Sequence, residues 1–355
     1  MKSIFLLIAS LCATQVFAQS KIAVYTPSSN TTHIWANFDS AYSNSVAGDY
    51  IYLPGGSFTL TNTINKQIHI IGAGYNQDSS SATGITALNQ VQLSSGADGG
   101  SIEGVYFTPS SSNLSSSISV TNSGTPISHF TIAYCYLSNG LKCIAPAENF
   151  TITKCYIGSI NDYYTGLPVT SLSGPLTNSV ISNSIITSSV QIEAGGLFSN
   201  NIFFGVTHYY SGDMSPAGSS NCTYENNIFQ FPAGNNELNN GVFNNNINAS
   251  PNANYGNVGS GNTSEGFSDS FVDPGQPNGN GWYNYDVHKS YKLKPTSAGY
   301  HAGTDGTDIG IYGGAMPWKD GSMPSNPHIS SKTVGTQNDA SGILHATFKV
   351  KPQAY

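Results

Sequence analysis

From residue 130 to residue 248 the chain repeats one eight-residue pattern of apolar and polar positions. FTIAYCYL (130–137) and FTITKCYI (150–157) are nearly identical, and SVISNSII (179–186), GLFSNNIF (196–203), CTYENNIF (222–229) and GVFNNNIN (241–248) align beneath them. Upstream, SIEGVYF (101–107) ends in the same register. Positions one and three are often apolar and alternate with small polar residues, which is the period of a strand. Positions four and five bend the chain, so that positions six and eight face inward again. β-Branched and aromatic residues dominate the octets, and Gly or Pro interrupts the stretches between them. A helical period of about 3.6 residues is missing from the repeat region, so leucine-rich and helical repeats fit badly.

The third-position residues Ile132, Ile152, Ile181, Phe198, Tyr224 and Phe243 are separated by 20, 29, 17, 26 and 19 residues. A repeat of about twenty residues with variable insertions marks a solenoid, in which each unit stacks on the last and insertions become loops. The sixth position reads Cys135, Cys155, Ser184, Asn201, Asn227 and Asn246. Stacked coils bring equivalent residues to about 4.8 Å. Inward asparagines at that spacing are expected to bond one another and nearby backbone as a ladder.

The cysteines are the soft, small members of the same column. Cys135, Cys143, Cys155 and Cys222 follow the leader segment, and an even number permits two disulfides in an exported chain. Stacked side chains pointing the same way, however, stand beyond the Cβ spacing of about 3.8 Å that a disulfide prefers. Stacked free thiols are therefore the preferred reading. None of these cysteines has zinc-ligand spacing.

These residues resemble the right-handed parallel β-helix, or pectin-lyase-like, proteins. GDYIYLPGGSFTL (48–60) with IHIIGAGYN (68–76) is similar to that family's opening coil. HIWANFDSAYSNSVAG (33–48) fits the amphipathic helix that commonly covers the first coil's open end, and SYKLKPTSAGYHAGTDGTDIGIYGG (290–314) is similar to the closing coil of many secreted bacterial members. The resemblance implies an all-β chain: a right-handed single-stranded parallel β-helix over residues 19–315, with an N-terminal capping helix. Residues 316–330 read as a Pro-rich linker. Beyond them Leu344, Ala346, Phe348 and Val350 alternate with polar residues. They predict one half-buried strand, or a hairpin with 333–336, as a short C-terminal β tail packed on the helix. Such motifs specify an architecture and not an activity.

Residues 1–18 read as a signal peptide of the Sec type: Lys2, an apolar run over 4–11, and a cut after Val16-Phe17-Ala18. Leu11 before Cys12 does not fit a lipobox, and no apolar run is long enough for a transmembrane segment. The expected location is secreted, periplasmic or on the cell envelope. Charged residues make up 9% of the chain, against about 25% in ordinary globular domains. The net charge is −7 with no basic patch, which makes nucleic acid a poor partner. All twelve basic residues are lysines.

The resemblance brings polysaccharide lyases and polygalacturonase-like hydrolases to mind. Several such lyases use Arg or Lys as the base, with Ca²⁺ held by clustered Asp. Here arginine is absent, and only Lys142 and Lys154 lie between residues 70 and 285. Lys154, near a bend, also reads as a solvated side chain. Hydrolases of this fold use several adjacent Asp side chains, whereas Glu148, Asp162, Glu193, Asp213 and Glu225 are isolated. Asp305 and Asp308 form the densest acidic cluster and read as turn stabilisers. No metal and no cofactor is expected.

The strongest surface signal lies in two insertions with matching text, NDYYTG (161–166) and THYYSG (207–212). Tyr163 and Tyr209 both stand six residues beyond position eight of the preceding octet, and Tyr164 and Tyr210 seven. Asp162 and His208 are equivalent neighbours, and Asp213 follows. Two tyrosine pairs about 10 Å apart along the axis would suit an extended glycan, since a Tyr ring offers an apolar face and a hydroxyl. The same tyrosines would equally serve as loop packing. The reading preferred is an exported protein that engages extracellular polysaccharide or a cell-surface glycan through these loops. A polysaccharide lyase or glycoside hydrolase, and a structural or adhesive surface protein, are the alternatives.

Overall fold

Within an octet, positions two to four form one short strand and positions seven and eight another, as in Thr131–Ala133 and Tyr136–Leu137. The computed structural model describes residues 21–109, 116–121, 125–158, 176–187, 190, 192, 194–204, 221–233, 240–321, 328–335, 337, 341–343 and 345–351. The proposed signal peptide, both tyrosine-bearing insertions, Glu193 and Leu344 lie outside the described residues. Position five, between the two strands, is left-handed at every rung of the repeat, with φ of 53° at Tyr134 and Lys154 and from 45° to 57° at Asn183, Asn200, Asn226 and Asn245. Asn is the side chain that best tolerates this region, because its short amide bonds locally. A second left-handed column precedes position one, at His129, Asn149, Asn178, Gly195, Asn221 and Asn240.

The first strands stack into a twelve-stranded sheet and the second strands into a nine-stranded sheet, with two three-stranded sheets completing part of the wall. The chain is a right-handed parallel β-helix. Ile102, Ile132, Ile152, Ile181, Phe198, Tyr224 and Phe243 are partners in succession, in the register read from the sequence. Phe198, Tyr224 and Phe243 stack at 4.8 and 4.6 Å inside the coil.

The sixth column forms the expected ladder. The side-chain oxygens of Asn227, Asn246 and Asn262 each accept from the backbone and side-chain nitrogens of the asparagine one coil earlier, at 2.9–3.0 Å. Each amide of Asn201, Asn227 and Asn246 also donates to the carbonyl of Ile181, Phe198 or Tyr224, at 2.8–3.0 Å. Ser184 Oγ and Cys155 Sγ continue the column by accepting from the backbone of Cys155 and Cys135. The buried polar groups are thereby satisfied rather than left at a cost of about 1–3 kcal/mol each. All four described cysteines are buried, and none of them is joined in a disulfide.

The N-terminal helix spans Phe38–Asn44, shorter than the stretch 33–48 that suggested it. Thr31–Trp35 instead pairs with Ile22–Thr26 as an antiparallel strand at the end of the larger sheet. Asn37 caps the helix by accepting from Ser40, and Phe38, Ala41 and Tyr42 enter the core.

Residues 290–314 do not stack as a further rung. Ser290–Leu293 pairs antiparallel with Phe271–Asp273, and the following segment runs back over the outer face of the nine-stranded sheet. The fifth-column asparagines hold it there. Asn245 donates to Ala302 O at 2.8 Å, Asn226 bonds Thr304, and Asn183 donates to Ile311 O and Gly313 O at 3.0 and 2.9 Å. Trp318, within the stretch read as a linker, is buried in the same apolar cluster as Ile185 and Ile311. His328–Val334 and Ala346–Lys351 form an antiparallel hairpin. Contrary to the expected packing on the helix, its Phe348 and Val350 are 54% and 58% exposed.

Candidate functional site

Position seven points outward from the nine-stranded sheet, and its column changes character along the stack. It reads Tyr106, Tyr136, Tyr156, then Ile185, Ile202, Ile228, Ile247. The four isoleucines are fully buried beneath Leu293, Ile309 and Ile311 of the returning segment. The three tyrosines are half-buried and stack on one another, with ring centroids 5.1 Å apart for Tyr106–Tyr136 and 4.0 Å for Tyr136–Tyr156.

A cleft of about 290 Å³ opens where the two parts of the column meet. Ile185 is at its base, and Tyr75, Tyr285, Tyr291, Tyr312 and Trp318 supply its rings. Tyr75 and Tyr285 continue into the tyrosine column, 5.6 Å from Tyr136 and 5.4 Å from Tyr156. The sequence places these residues far apart. Tyr75 closes the turn after Ile68–Ile71, Tyr285 and Tyr291 flank the start of Ser290–Leu293, and Tyr312 and Trp318 end the returning segment.

The rim is charged but balanced. Lys289 Nζ lies 3.3 Å from Asp273, Lys292 Nζ lies 3.7 Å from Asp320, and His288 faces Asp78 at 3.8 Å. Tyr312 donates its hydroxyl to Asp320, and Tyr291 Oη accepts from the backbone of Asp286 at 2.8 Å. Burial pushes the Tyr291 phenol up to about 12. Burial also raises Tyr285, Tyr136 and Tyr312, the first two aided by neighbouring phenols and Tyr312 by its bond to Asp320. All four are therefore neutral hydroxyls at physiological pH, able to accept, and Tyr312 commits its one proton to Asp320. Rings with neutral hydroxyls, edged by paired carboxylates and ammoniums, suit a polyhydroxylated ligand.

The binding residues read from the sequence, Tyr163, Tyr164, Tyr209, Tyr210, Asp162, His208 and Asp213, lie outside the described residues. The cleft was missed, although the seventh column shows three tyrosines followed by isoleucines and so signals it. Lys142 is half-buried on Leu141–Cys143. Lys154 is buried rather than solvated: its Nζ donates to Tyr134 Oη at 3.0 Å and sits 5.0 Å from that ring. Burial, with Lys319 nearby, holds its ammonium below the ordinary lysine value. Glu148 and Glu225 are half-buried on separate strands of different sheets. Asp305 accepts from Thr307 two residues on, a turn bond of the kind expected, whereas Asp308 accepts from the backbone of His301 seven residues earlier. Among the described residues no three His, Cys, Asp or Glu side chains converge as a metal site, and no helix is long and apolar enough to cross a membrane.

Comparison with protein-family models and with curated proteins gives no match. Among solved structures, pectate lyase Pel9A is similar at 12% identity and a TM-score of 0.44, over 79% of this chain and 91% of that one. A PL6-family alginate lyase, AlyGC, is similar at 12% identity and a TM-score of 0.22, over 82% of this chain and 59% of the other.

Proposed function

We propose that this chain is an exported glycan-binding protein that seats part of a polysaccharide in the cleft between its β-helix and its returning C-terminal segment. The observation that carries this reading is the convergence of Tyr75, Tyr285, Tyr291, Tyr312 and Trp318 around a cavity of about 290 Å³. A cavity near the lower end of the usual range for ligand pockets, about 300–1,000 Å³, suits one or two sugar units rather than a long segment. The sugar's C–H face lies on the rings, and its hydroxyls meet phenols and the rim groups Lys289, Asp273 and Asp320. The paired tyrosines at 163, 164, 209 and 210, with Asp162, His208 and Asp213, are proposed as further contacts for the chain beyond the cleft.

The test is titration of the purified protein with a panel of oligosaccharides, read by tryptophan fluorescence and calorimetry. Saturable binding that weakens at least about tenfold in Tyr285→Ala, with unchanged circular dichroism, supports the reading. Equal affinity in the parent and in Tyr285→Ala removes the cleft from it.

A further inference from the structure

We infer that a second, independent glycan-binding surface lies on the outer face of the twelve-stranded sheet at its first coils, selective for neutral polysaccharide. Positions equivalent to octet positions two and four point outward there. One column carries Tyr50, His69, Ser101, Thr131 and Thr151 as successive partners, and the other carries Tyr52, Ile71 and Glu103. Tyr25 joins from the antiparallel strand Ile22–Thr26, opposite Tyr50.

The rings form a tiled surface. Tyr50 stacks on His69 at 4.5 Å with 25° between planes, and lies 6.5 Å from both Tyr52 and Tyr25. The returning C-terminal segment lies on the other sheet, and Tyr52 is 39% exposed. Cross-strand packing explains why the rings touch. It does not explain why all of them carry polar edges on an outward face, where aliphatic β-branched residues would pack as well.

The chemistry selects the ligand. His69 is held below its ordinary pKa by burial, and its Nδ1 is 3.0 Å from Ser101 Oγ, so it presents a neutral ring at physiological pH. Lysine is absent from these columns. Glu103 is the one acid, and burial raises its pKa. A surface without cations, and with one carboxylate, disfavours polyanions such as polyuronates. Stacked amphipathic rings followed by the hydroxyls of Thr131 and Thr151, with Ser101 buried and bonded to His69 between them, match the alternating C–H faces and hydroxyls of a neutral pyranose chain running along the stack.

Affinity electrophoresis tests this in native gels containing hydroxyethylcellulose, galactomannan or polygalacturonate, using the full mature chain. The expected result is retardation by at least one neutral polymer. Measured in the Tyr285→Ala background, so that the cleft does not contribute, that retardation should fall about tenfold or more on adding Tyr50→Ala or Tyr52→Ala, and fall less on adding Tyr50→Phe, which keeps the ring and loses the hydroxyl. Unchanged circular dichroism in Tyr50→Ala separates lost binding from lost folding. The inference is overturned if neither neutral polymer retards the parent, if adding Tyr50→Ala or Tyr52→Ala leaves the migration of Tyr285→Ala unchanged, or if only polygalacturonate retards the parent. It is equally overturned if sedimentation velocity shows a dimer that Tyr50→Ala dissolves, because the face then belongs to a second copy. The cleft can fail its own titration without affecting any of these outcomes.

Discussion

Replacing Asn183 by Gly and by Ala separates two things that this asparagine does. Its amide donates to Ile311 O at 3.0 Å and Gly313 O at 2.9 Å, in a buried place, and its backbone has φ of 45°. Gly removes the amide while accepting a left-handed backbone freely. At about 1–1.5 kcal/mol for each bond, Asn183→Gly should cost about 2–3 kcal/mol. Asn183→Ala loses the same bonds and adds about 1–2 kcal/mol of left-handed strain, for about 3–5 kcal/mol in all. Urea unfolding followed by far-ultraviolet circular dichroism should thus order the midpoints as parent, Gly, Ala. Because Tyr312 and Trp318 follow directly on the anchored stretch, glycan affinity in the cleft should fall in Asn183→Gly as well. It should be unchanged in Asn149→Gly, which alters a left-handed position (φ of 56°) at the other end of a strand. Equal midpoints for the Gly and Ala variants would refute the backbone part of the reasoning. An Asn183→Gly midpoint corresponding to a loss under about 0.5 kcal/mol, the size of a neutral surface change, would refute the clamp.

Asn227→Ala should destabilise the chain by about 3–5 kcal/mol in the same unfolding experiment, because Asn201 loses the acceptor of its backbone and side-chain N–H groups, and Phe198 O and Asn246 Oδ1 each lose a donor inside the coil. Lys154 has a folded pKa below its unfolded value of 10.5, so folding opposes its protonation. Lys154→Met should therefore gain stability at neutral pH, and the gain should shrink as pH rises from the lowered pKa toward 10.5. A pH-independent difference between the two proteins would contradict this. Thiol titration in denaturant without reductant should find all four of Cys135, Cys143, Cys155 and Cys222, and none of them in the native protein.

The repeat was legible because stacking multiplies each position: one inward residue per coil writes the same column again about every twenty residues. Ile132, Ile152 and Ile181 align for that reason, and the asparagine ladder could be anticipated from Asn201, Asn227 and Asn246 alone. The fifth column was read only as a bend. Its second role was hidden, because the partners of Asn183 lie 128 and 130 residues further along the chain. Periodicity carries no information across such a distance. The segment 290–314 was misread for a related reason. SYKL does form a strand, but its partner is the antiparallel Phe271–Asp273, and alternation along a strand does not reveal its direction.

The location of the cleft follows from what each part of the seventh column requires. A sheet face tiled by Ile185, Ile202, Ile228 and Ile247 must be covered, since each exposed isoleucine forgoes about 1.5–3 kcal/mol of burial. The returning segment supplies that cover, anchored by an amide from each successive coil. A face tiled by Tyr106, Tyr136 and Tyr156 needs no such cover, because each phenol carries a hydroxyl that water or a ligand can satisfy. The segment passes Ile185 and ends its buried course at Trp318, where the column turns to tyrosine. The site therefore falls at the boundary between a face that must be dry and one that can be wet. Tyr156→Ile would set an isoleucine just beyond the segment's cover and remove the ring stacked on Tyr136 at 4.0 Å, so the cleft should bind more weakly and the urea midpoint should fall rather than rise.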